Sequence, residues 1–119
     1  VITGGPYSIA HQSPENKAFV EAFRKANNNR RPNIVSLSAF DEMDLIFRAL
    51  QATKGATDGA TLVEAMKGMK WESPRGPVLI DPKTRDIVQN IYMRKVERQS
   101  GELYNVELET YPAVKDPAH

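Results

Sequence analysis

Apolar and polar positions along this 119-residue chain change their period near the middle. Up to about residue 70 apolar side chains recur every three or four positions; beyond it they run together or alternate. The first rhythm predicts helices, the second strands. Phe19, Ala22, Phe23 and Ala26 share one face of a helix expected over about residues 14–28, capped by Ser13, with Pro14 at its first position and Asn27, Asn28 and Asn29 ending it. A second helix, the most strongly patterned in the chain, starts at Ser36 or Ser38 and carries the stripe Phe40, Met43, Ile46, Phe47 and Leu50, with Gly55 beyond its end. That stripe is expected to be the central packing surface. A short third helix runs from Asp58 to Gly68 with Leu62, Val63 and Met66 on one side.

Pro77 to Ile80 reads as a short apolar strand, followed by the turn "DPKT". From Ile87 the pattern predicts a β-hairpin. Val88, Tyr92 and Val96 lie on one face of its first strand, "QSGE" turns the chain, and Tyr104, Val106 and Leu108 alternate with Asn105, Glu107 and Glu109 in the second. The opening stretch "VITGGPYSIAHQSPE" is rich in turn formers and reads as a connector.

The expected fold class is therefore α/β, as three helices followed by a short strand and a β-hairpin. Residues 1–119 form one unit, with 1–70 its helical part and 71–119 a crossover and β strands. This order leaves too few strands to cover two long amphipathic helices. Either the hairpin folds back over them, or the strands that cover them lie in another chain or in a removed N-terminal region. Association of identical chains into a homo-oligomer is a third way of covering them.

Composition narrows the partners. A hydrophobic content of 40% supports one modest core, and 16 basic against 15 acidic side chains leave a charge of +1. No basic field is available for nucleic acid or an anionic membrane. The absence of cysteine excludes a disulfide framework, a thiolate metal site and a cysteine nucleophile. No apolar run approaches the roughly 18 residues that span a bilayer. The first residues lack the pattern of an export signal, as they also would in a mature or excised protein.

Few residues carry candidate chemistry. Asp41, Glu42 and Asp44 suggest a metal or acid–base site, but carboxylates in the first turns of a helix also suit its positive end, and no histidine stands near them in sequence. His11 and His119 have no nucleophile or carboxylate at a motif spacing. "TGGP" reads as a hinge rather than a phosphate loop, and Arg30 and Arg31 as part of a solvated loop. Packing as a lid over the core outweighs a ligand platform for Trp71. Phe40 places a large ring in what is expected to be the first turn of the longest helix, where unpaired N–H groups suit a ligand with an apolar part and a carboxylate; a core aromatic or hydrophobic staple is the alternative. No catalytic residue, cofactor or metal is expected.

The segments "SPENKAFVEAFRK" and "SAFDEMDLIFRALQATKGATDGATLVEAMKGMKWESPRGPVLIDPKTRDIVQNIYMRKVE" resemble the C-terminal third of periplasmic substrate-binding proteins of ABC transporters, in the branched-chain amino acid (Leu/Ile/Val-binding) family. The resemblance rests on the "NKAFVEAF" helix, the aromatic–Asp start at Phe40 and Asp41, the helix end at Ala49, Leu50 and Gly55, and the "GPVLID" strand at residues 76–81. It implies a fragment of a two-lobed binding protein, with residues 69–95 joining helices of one lobe to strands that serve the other. It further implies a non-enzymatic role in periplasmic uptake, with a branched-chain or aromatic amino acid or related small carboxylate as ligand, an ABC permease as partner, and Phe40 and Asp41 at the ligand cleft. Phe40 stands where the family often has Tyr, which favours a more apolar or aromatic solute. The competing expectation is a self-contained interaction or regulatory module.

Overall fold

The computed structural model describes residues 1–118, so His119 lies outside the described residues. Along the chain run β1 (Ile2–Gly5), α1 (Pro14–Ala26), α2 (Ile34–Ala52), α3 (Gly59–Met66), β2 (Lys70–Ser73), β3 (Gly76–Ile80), β4 (Ile87–Gln99) and β5 (Glu102–Val114). The expected mixture of three helices, a short strand and a hairpin is present, joined by two further strands, β1 and β2.

β4 is the spine of one antiparallel sheet. Its first residues pair with β3, Val78 opposite Gln89, and its later ones with β1, Ile2 opposite Lys95. β5 runs along its other edge for the length of the hairpin, and β2 closes the far side by pairing with β3. The hairpin turn places Ser100 at φ 50° and Gly101 at φ 83°, as the favoured two-residue turn requires.

The opening stretch is not a free connector. β1 pairs with four residues of β4, and Arg94 on β4 donates to the Tyr7 carbonyl at 2.6 Å and to Thr3 Oγ1 at 3.2 Å. His11 Nδ1 lies 2.5 Å from Glu107 Oε1, and Ser8 Oγ donates to the Asn105 carbonyl at 2.7 Å, so the stretch is pinned across β4 and β5. The cost of the glycines is offset by pairing with residues some ninety positions away, which local turn propensity does not register.

α1 begins at the Ser13 cap and ends at the asparagine run, where Asn28 and Asn29 both take positive φ. α2 starts earlier than expected. Asn33 is the cap, its side chain accepting from Ser36 N at 3.0 Å while Ser36 Oγ accepts from Asn33 N at 2.8 Å. This reciprocal box satisfies two donors at once, and neither Ser36 nor Ser38 caps the helix. Phe40 and Asp41 therefore lie beyond the first turn.

The stripe on α2 is also placed differently from expectation. Phe40, Met43, Ile46 and Phe47 are exposed, Phe47 by 57%, while Leu37, Asp41 and Ala49 form the buried face. The hairpin does not fold back over the stripe. What is buried gathers in two clusters: Tyr7, Phe19 and Leu37 where the opening stretch meets α1 and α2, and Trp71, Val78 and Ile80 where β2 and β3 meet Leu45 of α2. Trp71 packs in this core, with the Arg48 guanidinium 5.5 Å from its ring centre.

Candidate functional site

Two features surround the residues singled out in α2. One is a cleft of about 500 Å³ between α1, α2 and the β2–β3 turn, whose floor is the Phe19, Phe23 and Phe40 rings and whose wall includes Pro74. The Phe40 ring centre is 4.9 Å from that of Phe19, and Phe19 is 6.0 Å from Phe23, tilted contacts that favour aromatic packing. Glu15 of α1, Asp44 of α2 and Glu72 of β2 also line it, so an otherwise apolar hollow carries acidic groups from three elements.

The second feature is a buried polar network behind it. Asp41, 5% exposed, accepts from Ser73 Oγ at 2.7 Å and from Arg75 Nε at 3.0 Å. Arg75, itself buried, donates further to Gln89 Oε1 at 2.7 Å on β4 and to Ser38 Oγ at 3.2 Å on α2. Its carbonyl accepts from Tyr92 Oη at 2.5 Å. One guanidinium thus joins α2, the turn and β4. Burial pushes the Asp41 carboxyl above its ordinary value, against the lowering pull of Ser73 and Arg75.

Phe40 and Asp41 are neighbours in sequence but face different ways: Phe40 is half exposed in the cleft, and Asp41 points into the network. Asp44 lines the cleft and pairs with Arg48 at 3.2 Å, so the three carboxylates of the segment do not converge. Among the described residues no cluster of three or more His, Asp or Glu could hold a metal ion, and no helix is long and apolar enough to cross a membrane. Sequence reasoning missed Ser73, Arg75 and Gln89. The alternation of Lys70, Trp71, Glu72 and Ser73 was the available signal, since it places Ser73 on the same buried face as Trp71.

Residues 1–102 match the family model described as periplasmic binding protein. A solute-binding protein of an ABC transporter from Rhodopseudomonas palustris BisB5, solved in complex with 3,4-dihydroxybenzoic acid, is 55% identical with a TM-score of 0.96, covering 99% of this chain and 32% of that one. A second, from R. palustris HaA2 and in complex with p-hydroxybenzoic acid, is 42% identical with a TM-score of 0.89, again covering 99% of this chain and 32% of that one. The Leu/Ile/Val-binding protein homolog 6 of Brucella suis is 47% identical over 119 residues, which are 98% of this chain and 30% of that protein. The chain thus spans about 30% of the length of the curated relatives it matches. With family model, relatives and fold in agreement, the chain belongs to the periplasmic binding proteins, the substrate-binding components of ABC transporters.

Proposed function

We propose that this chain is part of an extracytoplasmic solute-binding protein that captures a small aromatic carboxylate, of the hydroxybenzoate type, and delivers it to an ABC permease without chemical change. The observation that carries this reading is the aromatic cleft: the Phe19, Phe23 and Phe40 rings make a hollow suited to the flat face of a benzene ring. Relatives solved with 3,4-dihydroxybenzoic acid and p-hydroxybenzoic acid support it.

The acidic lining orients the solute. A carboxylate is repelled by Glu15 and Glu72, Asp44 being paired with Arg48, so the ring enters with its acid group directed away from this chain, towards the rest of the longer protein. The exposed stripe from Phe40 to Phe47 extends over two turns of helix, about 10 Å, too long for one benzoate. Phe40, at its cleft end, touches the solute, and the remainder packs against other parts of the protein. Asp41 serves the site from behind rather than by contact. Closure around the solute works by population shift, because a ligand gripped by both lobes has more contacts in the closed state.

A branched-chain amino acid is the second reading, favoured by the Brucella relative's name. Calorimetry separates the two on a form of the protein extended to the length of its relatives. Micromolar binding of 4-hydroxybenzoate, weakened at least tenfold by Phe40→Ala, is expected, a loss of about 1.4 kcal/mol. Micromolar binding of leucine with no response to 4-hydroxybenzoate refutes the aromatic reading.

A further inference from the structure

We propose that Arg75 is a positioning residue for the solute cleft: clamped by Asp41, it fixes the Pro74–Arg75 turn against α2 and so keeps Pro74 in the wall of the cleft that Phe40 also lines. The proposal rests on the reading of the Phe40 cleft as the solute site.

Three observations converge on it. The turn is only two residues long, since Ser73 pairs with Gly76, so any shift of Arg75 moves Pro74 with it. The Arg75 side chain and carbonyl are held from distant elements, by Asp41 and Ser38 of α2 and by Gln89 and Tyr92 of β4, while its N–H donates to Ser73 Oγ on the flanking strand β2. The pair is also buried, both side chains under a tenth exposed, although an exposed ion pair would hold a surface turn with less desolvation. A buried pair is weak evidence for stability, because apolar residues of similar size often replace it without loss. What such a replacement removes is directionality. The guanidinium fork reaches Asp41, Ser38 and Gln89 at fixed angles, and apolar side chains supply none of these bonds.

The contrast suggests the test. In D41L/R75M the buried charges go together, so the fold is expected to survive. Amide hydrogen exchange of Arg75 and Gly76, measured in the 119-residue chain, should accelerate by about tenfold or more as the turn is released. The emission of Trp71, the sole tryptophan, should shift because it sits two residues before Ser73 on β2. In the extended form, the dissociation constant for 4-hydroxybenzoate should rise about tenfold. Unchanged exchange at the turn overturns the proposal whatever the affinity, and faster exchange with unchanged affinity shows the network to be structural only, which also overturns it. Should D41L/R75M fail to fold, Asp41→Asn, which keeps one acceptor oxygen, is read by the same measurements and the same criteria. If the unaltered extended protein does not bind 4-hydroxybenzoate, the solute reading fails separately. The Phe40 ring shifts in the NMR spectrum then replace affinity, and shifts that stay put in the variant overturn the positioning role.

Discussion

Replacing Gly76 by Ala tests the tightest point of the structure. Gly76 closes the β2–β3 turn at φ 113°, a conformation that residues with a Cβ rarely adopt, and holding Ala there costs about 1–3 kcal/mol. The added Cβ also overlaps Tyr92 Oη, which donates to the Arg75 carbonyl. Displacing that hydroxyl forfeits a buried hydrogen bond of about 1 kcal/mol. Together the loss is about 2–4 kcal/mol, read as the change in unfolding free energy by urea denaturation of the chain. The two parts separate in a double-mutant cycle. Tyr92→Phe alone costs about 1 kcal/mol through the lost bond, but it removes the obstacle, so G76A should cost about 1 kcal/mol less in the Y92F background than in the parent. An equal cost in both backgrounds refutes the steric account, and a G76A midpoint matching the parent refutes the strain account as well.

Leu37, wholly inaccessible between Tyr7 and Phe19, should lose about 2–5 kcal/mol on truncation to Ala, whereas Phe47→Ala in the same chain should cost under about 1 kcal/mol because its ring is 57% exposed; thermal unfolding of both variants checks the ranking. Backbone N–H groups of Lys83 and Thr84, with Lys115, hold the Asp81 carboxyl below its ordinary 3.8. Such a group contributes stability above that value and loses it as pH falls through the lower folded value, so Asp81→Asn should flatten the acid limb of a stability–pH curve. Sedimentation of the chain should show species heavier than 13.3 kDa, as Phe40, Met43 and Phe47 of neighbouring copies cover one another; a stable monomer at micromolar concentration contradicts this. Calorimetry on the chain alone should give a dissociation constant of about millimolar or weaker for 4-hydroxybenzoate, since one wall of a cleft keeps only part of its contacts.

Features that depend on local chemistry were legible. Ser13 and Pro14 start α1, Asp58 caps α3 with its side chain on Thr61 N, and Ser100–Gly101 turns the hairpin, because each is decided within a few residues. Features decided by distant partners were not. β1 exists because Ile2 to Gly5 meet Lys95 to Tyr92, and β2 because four residues meet β3. The alternation in β5 was read correctly as a strand, but it did not say which side is covered, and residues 104–107 are all half-buried. Leu108 is exposed, while Asn105 and Glu107 reach Thr3 and His11. A register shift in the β4–β5 ladder between Met93 and Arg94 explains part of this, since an extra residue exchanges the faces beyond it.

The candidate site was half legible for a related reason. Periodicity identified Phe40, Met43, Ile46 and Phe47 as one apolar face but did not say which segment covers it. Within this chain α2 turns its less apolar face inward, and that face carries Asp41, a carboxylate tolerable there only because Arg75 and Ser73 meet it. A helix that spends its inward face on an ion pair and leaves four large apolar side chains outward is arranged for cover from elsewhere. The relatives, about three times as long at matching coverage of this chain, have the length to supply it. On that reading the same residue spacing served two purposes at once. The apolar side chains, three or four positions apart, face outward for such cover, and Asp41, set between them, ties the helix to the turn that walls the cleft.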